Sequence, residues 1–168
     1  MPKSNKKEKK PELGLDDLDI SILQELQKDC RTSVQVIAKN VEKKLDKRVP
    51  SSTVHYRIKR LEEQKFIDGY YVNINPERVE MEYLTVMQVR ADYGPKYHEK
   101  IGNQLAKIPG VWAVYFVLGD WDFIVLTRLK DRAAYMNILE QVMEVNGVER
   151  TSTLVVARVI KEDPRLQL

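Results

Sequence analysis

From Leu15 onward, apolar positions recur three times at helical spacing. Leu18, Ile22, Leu23 and Leu26 form one stripe, Val34, Ile37, Ala38 and Val41 a second, and Val54, Ile58 and Leu61 a third. Each is the repeat of a helix with one buried side. Asp16 stands where the first helix needs its N-cap, with Asp19 in the first turn where a carboxylate suits the helix dipole. Ser33 is placed to cap the second helix, and Pro50 opens the third where its missing donor costs little. The period then changes. Tyr70 to Ile74 alternates and is stopped by Asn75 and Pro76, which predicts a strand. Three short helices and a β extension predict a winged helix-turn-helix.

The second half repeats itself. Strand, helix and strand patterns occupy Tyr83 to Ala91, Lys96 to Ile108 and Val111 to Leu118, and again Asp122 to Leu129, a helix capped by Asp131, and Val148 to Ile160. Ile108-Pro109-Gly110-Val111 and Val145-Asn146-Gly147-Val148 close equivalent turns. A doubled unit of this kind predicts a ferredoxin-like βαββαβ sheet with both helices on one face. The fold class is therefore α+β. Its expected divisions are an arm at 1–14, a winged helix-turn-helix at 15–68, a hinge strand and linker at 69–81, and the ferredoxin-like domain at 82–168.

Strict alternation sends Val111, Ala113, Tyr115 and Val117 to one side of the second strand and Trp112, Val114, Phe116 and Leu118 to the other. Two helices cover only one side. Fully burying an apolar side chain is worth about 1.5 to 3 kcal/mol, so the second side predicts a homodimer through this domain.

Charge sharpens the picture. The net charge is only +3, but from Lys39 to Arg60 eight basic residues face only Glu42 and Asp46, an excess of six positive charges. From Glu82 to the end, 11 basic and 11 acidic residues cancel. A polyanion partner is thus expected for the first half alone. Met1 to Gly14 carries five lysines and little to pack, which predicts a disordered basic arm and no secretory leader. The longest apolar stretch, Val111 to Leu118, is too short for a membrane span. A single cysteine, Cys30, permits no intrachain disulfide and suits a reducing cytoplasm.

These observations converge on Pro50 to Lys65. Opposite its apolar stripe, the third helix presents a basic and aromatic arc. Ser52, His55, Tyr56 and Lys59 lie at the centre, the candidates for base edges in the major groove of duplex DNA. Ser51, Thr53 and Arg60 are better placed for phosphates. Arg57 sits nearer the apolar stripe and is expected to form an ion pair with an acidic residue of the first helix.

The order of matching residues resembles the Lrp/AsnC, or feast/famine, family of transcriptional regulators. It includes Leu15-Asp16 with Asp19, Ile22-Leu23, Asp29 with Arg31 and Ser33, Thr53-Val54, Arg57-Ile58, Leu61-Glu62-Glu63, Pro109-Gly110-Val111 and Gly119-Asp120-Trp121-Asp122. The resemblance implies a sequence-specific regulator whose dimers assemble into tetramers or octamers on a pseudo-palindromic site. It also implies an effector, an amino acid or related small molecule, bound at a subunit interface by Gly119, Asp120, Trp121 and Asp122, with Thr151, Ser152 and Thr153 adding hydroxyls. Read by itself, the loop Gly119 to Asp122 is a tight hairpin. The chain departs from the family pattern between its second and third helices, where Glu42 to Pro50 replaces a shorter Gly-Leu-Ser.

No cofactor, metal or catalytic residues are expected. The rival from another class is an enzyme like the siroheme decarboxylases, which share this layout; it would need a basic pocket and a proton donor, and the neutral second half offers only His98. A third reading is an architectural, chromatin-like DNA-binding protein.

Overall fold

The computed structural model describes residues 14–168; the basic arm expected at 1–14 lies outside them, save Gly14. The described chain forms two compact units, one reaching Val72 and taking in Asp163–Leu168, the other Asn73–Glu162.

The first unit holds α1 (Asp17–Lys28), α2 (Val34–Leu45) and α3 (Ser51–Glu63). Asp16 caps α1 reciprocally with Asp19: the Asp19 amide donates to Asp16 Oδ1 at 2.9 Å and the Asp16 amide to Asp19 Oδ2 at 3.2 Å. This satisfies two donors that a helix start would otherwise leave orphaned. Ser33 occupies the N-cap position of α2 without a side-chain cap bond. Asp46 ends that helix in the left-handed region at φ 48°. Pro50 stands just outside α3 as its N-cap residue, and its carbonyl accepts from the Thr53 and Val54 amides. Ile22, Ile37, Val41, Val54 and Leu61 are fully buried at the centre, and Val49 pins the connection between α2 and α3 into the same core.

The strand expected at Tyr70 to Ile74 does not form: none of these residues enters a ladder among the described residues. Tyr71 and Val72 are over 80% exposed, at 83% and 84%. The alternating pattern is there, but a strand needs a hydrogen-bonded neighbour, and the described residues supply none.

The second unit contains β1 (Tyr83–Ala91), α4 (Tyr97–Leu105), β2 (Val111–Phe116), β3 (Phe123–Leu129), α5 (Arg132–Met143) and β4 (Val148–Val155). The sheet is antiparallel in the order β2-β3-β1-β4, the arrangement expected of βαββαβ. Met87, Val89, Ala91, Phe123, Val125 and Leu129 form the buried side with Ile101 and Leu105 of α4 and Tyr135, Ile138 and Val142 of α5. Each repeat leans on the other at its turn. Gly110, at φ +92°, lies against Ile138 of α5, and Gly147, at φ +101°, against Ile101 of α4.

The alternation expected along β2 is interrupted. A register shift between Val111 and Ala113 puts Val111 opposite Thr127, Val114 opposite Val125 and Phe116 opposite Phe123, all on the helix side. Ala113 and Tyr115, opposite Leu126 and Ile124, point the other way. The extra residue of a bulge resets the side-chain period, so Val111 joins the face assigned to Val114 and Phe116. Both outer strands also stop early, β2 at Phe116 and β4 at Val155.

Candidate functional site

On α3 the expected arc is outward. Ser52, His55, Tyr56 and Lys59 are exposed, Tyr56 by 64%, while Ser51 and Thr53 are half-buried near the helix start. Among the described residues Lys59 pairs only with Glu63, one turn on, at 3.7 Å. An exposed pair of this kind is worth a few tenths of a kcal/mol or about 0.5 at most, so a phosphate or a guanine edge can compete for the ammonium.

The inward side of α3 is held by charge. Arg57 Nη1 donates to Asp16 Oδ2 at 2.7 Å and to both oxygens of Asp19 at 3.0 Å. This is the ion pair to the first helix that the sequence led us to expect. Burial alone would lower the Arg57 guanidinium, but its bonds to Asp16 and Asp19 outweigh that and raise it. Burial likewise pushes the Asp16 carboxyl up, yet the Asp19 amide and Arg57 hold it below the ordinary aspartate range.

Arg60 departs from its expected place. Its Nη2 donates to the same buried Asp19 carboxylate, and its Nε is buried without a hydrogen-bond partner among the described residues. One fully buried carboxylate therefore draws two guanidinium groups across from α3 to the start of α1. Arg60 is accordingly turned toward α1 instead of standing free for a phosphate. Two basic residues not singled out from the sequence as contacts are more exposed than Arg60. Lys47 and Arg48, in the connection that Val49 anchors, are exposed and close to the start of α3; with Thr53, Arg57 and the beginning of α1 they border an open concavity of about 520 Å³. Their signal was present in the charge excess, but the unusual length of the turn hid their position.

In the second unit, the connection from Val117 to Asp122 is closed by the Val117 amide on the Asp122 carbonyl at 2.8 Å. Gly119 adopts φ +152° there, a region glycine tolerates best. Asp120 is exposed. Asp122, which the resemblance puts among the effector-binding residues of this loop, is instead 4% exposed and turned inward. Its Oδ2 accepts from the Ala91 amide at 2.9 Å and its Oδ1 from the Tyr97 hydroxyl at 3.1 Å. That carboxylate braces β1 and α4 against the loop. Burial and this hydrogen bond raise the Tyr97 hydroxyl above its ordinary value.

The three hydroxyls of β4 do not share a side. Thr151 and Thr153 pair with Val89 and Met87 on the helix side, while Ser152 pairs with Gln88 on the open side. The Tyr135 hydroxyl of α5 bonds Thr153 Oγ1 at 2.6 Å, so Thr153 is engaged under the helix. Trp121 is half-buried, with the Arg150 guanidinium 5.7 Å from its ring centroid. Of the expected loop and strand residues, Asp120 is exposed, and Trp121 and Ser152 are half-buried, Ser152 on the open side.

Comparison with known proteins places both units. Residues 15–62 match the AsnC-type helix-turn-helix domain, and residues 85–166 the Lrp/AsnC ligand binding domain. An HTH-type transcriptional regulator of Pyrococcus abyssi is 37% identical over 153 residues, covering 91% of this chain and 99% of the relative. The leucine-responsive regulatory protein of Escherichia coli is 36% identical over 162 residues, covering 94% of each chain. A solved transcriptional regulator from Neisseria meningitidis in complex with L-methionine superposes with TM-score 0.81 at 23% identity, over 91% of this chain and 96% of that one. At that identity the likeness is one of fold.

Proposed function

Because the chain belongs to the Lrp/AsnC family of transcriptional regulators, we propose that it reads a pseudo-palindromic DNA site as a dimer. Ser52, His55, Tyr56 and Lys59 contact base edges, and Ser51, Thr53, Lys47 and Arg48 contact phosphates. The observation that carries this reading is the division of α3 into an outward arc of exposed polar and aromatic side chains and an inward side locked to α1 through Asp19. A recognition helix needs both: groups free to meet bases, and a fixed pose from which to present them.

The dimer is supported by the open side of the sheet. Leu84, Val86, Ala113, Tyr115, Ile124, Leu126 and Leu154 share it by register, and neither helix covers it. Tyr115 and Leu154 are 53% and 57% exposed. A second copy burying this face also brings two α3 helices into one assembly, and further association gives tetramers or octamers. An amino acid or related molecule bound at the loop Gly119 to Asp122, near a subunit interface, modulates that assembly; the methionine complex of the Neisseria relative is the reason to look for one. The activity is regulatory and not catalytic, and its setting is the cytoplasm, where the DNA target lies. His98, the proton donor that an enzyme reading would need, packs its ring on Phe116 at 5.3 Å and Tyr97 at 5.7 Å.

Binding to genomic fragments selected by the purified protein tests the proposal. His55→Ala and Lys59→Ala should each lose affinity for the selected site by about tenfold, with a smaller loss on random DNA. Lys47→Ala with Arg48→Ala should weaken both alike and reduce the slope of log K against log salt by about 1.8 per subunit. Equal affinity of all variants for both DNAs would remove α3 and its turn from the interface.

A further inference from the structure

The open side of the sheet changes character along its length. Toward one end it is apolar apart from Arg128, with Leu84, Val86, Leu126 and Leu154. Toward the end that carries the loop Gly119 to Asp122 it becomes cationic. There Arg90 of β1 and Arg150 of β4 are direct cross-strand partners, with Gln88 opposite Ser152 in the next row of the same face. Like charges directly opposite one another on a sheet destabilise it.

A third arginine on this face shows how the fold treats such a group when it is only structural: Arg128 is neutralised by Glu162 at 2.5 Å. Arg90 and Arg150 are exposed and make no ion pair among the described residues, although Asp92, Asp120 and Glu149 are near in sequence. Arg150 instead lies over the Trp121 ring, 5.7 Å from its centroid, a cation–π contact that uses none of its N–H donors. With Asp122 turned inward, Asp120 is the one acidic side chain that the loop leaves exposed.

We infer that Arg90 and Arg150, with Trp121, form a clamp for the carboxylates of a dianionic small molecule, so that the effector of this regulator is a dicarboxylate. Two planar donor forks side by side suit two carboxylates, or one carboxylate with a second negative charge close by. Ser152 and Gln88 border the clamp and offer hydrogen bonds to the rest of the ligand. The clamp lies beside the apolar part of the face, so a bound dicarboxylate sits at the margin of the proposed dimer interface, where it can bias assembly. This inference rests on the effector reading above and narrows it to a chemical class.

Calorimetric titration of the full chain with L-glutamate, glutarate and L-glutamine tests it, because glutamine has nearly the shape of glutamate without the second charge. L-glutamate or glutarate should bind at least about tenfold more tightly than L-glutamine. That preference should vanish in Arg90→Ala and Arg150→Ala, both of which change exposed side chains. Sedimentation of the two variants should show the dimer unchanged. Equal binding of L-glutamine and L-glutamate by the wild type and both variants would overturn the clamp and leave an effector site standing. Heat from none of these ligands, nor from L-methionine, would sink both. A dimer weakened in the variants with no dicarboxylate preference in the wild type would mean that the arginines meet the second copy, and would also overturn the clamp.

Discussion

Asp19 shows how much of this protein turns on one side chain. It closes the cap of α1, receives both arginines of α3, and is fully buried. Removing one partner of a buried ion pair leaves the others uncompensated, at a cost of about 3 to 5 kcal/mol. Asp19→Asn should therefore destabilise the first unit more than Arg60→Ala, as read by urea denaturation of a fragment or by amide exchange in α1 and α3. The pH dependence has a definite sign. The Asp16 carboxyl is held below its usual value of 3.8 in the folded chain, so its contribution is present above that value and disappears as the pH falls through the lowered one. Asp16→Asn should flatten the acid limb of a stability profile below about pH 4.

The cap and the Arg57 pair were legible because helix spacing fixes both: Asp16 and Asp19 are one turn apart, and Arg57 borders the apolar stripe. Arg60 was not. An arginine carries its charge on a long stem, and its position on the helical wheel does not say whether that stem folds back toward a carboxylate. The inward turn of Asp122 was hidden for a related reason. Its partners, the Ala91 amide and the Tyr97 hydroxyl, are 31 and 25 residues away, so nothing local to the loop announces them.

Among the elements, the helices and strands followed their hydrophobic periods, and the errors fell where a period is blind. A bulge adds one residue without altering composition, so the second strand's faces exchanged at Val111. A strand pattern without a neighbour, at Tyr70 to Ile74, remained irregular. The two turn glycines, by contrast, were visible as a repeated phrase, and the structure gives the reason. A Cβ on Gly110 would come within 2.8 Å of Ile138 and 2.9 Å of Leu129, and one on Gly147 within 2.8 Å of Ile101, each at a positive φ. Gly110→Ala and Gly147→Ala should each cost about 1 to 2 kcal/mol from backbone strain, and somewhat more from the contact. Thermal unfolding should show a lowered midpoint in both, with DNA contacts at α3 unaltered.

At the scale of the whole molecule, two unequal surfaces stand exposed: a basic, ring-bearing arc on α3 and a sheet face that is mostly apolar apart from Arg128 and the end that carries Arg90 and Arg150. On the proposed function the first meets DNA and the second another copy of the chain. Sedimentation at micromolar concentration should find a stable dimer, and Leu126→Glu, which places a charge on that face, should shift it toward monomer. Loss of the dimer should also weaken DNA binding, because in the proposed complex each copy contributes only one half of the site.

The most direct test of the account is a hydroxyl-radical footprint on a selected genomic fragment, with the wild type and a His55→Ala, Lys59→Ala double variant. The account predicts two protected half-sites related by a dyad, their centres about 10 base pairs or a multiple of that apart, with the protection lost in the variant. An undivided footprint without symmetry, or one that the double variant reproduces in full, would contradict it.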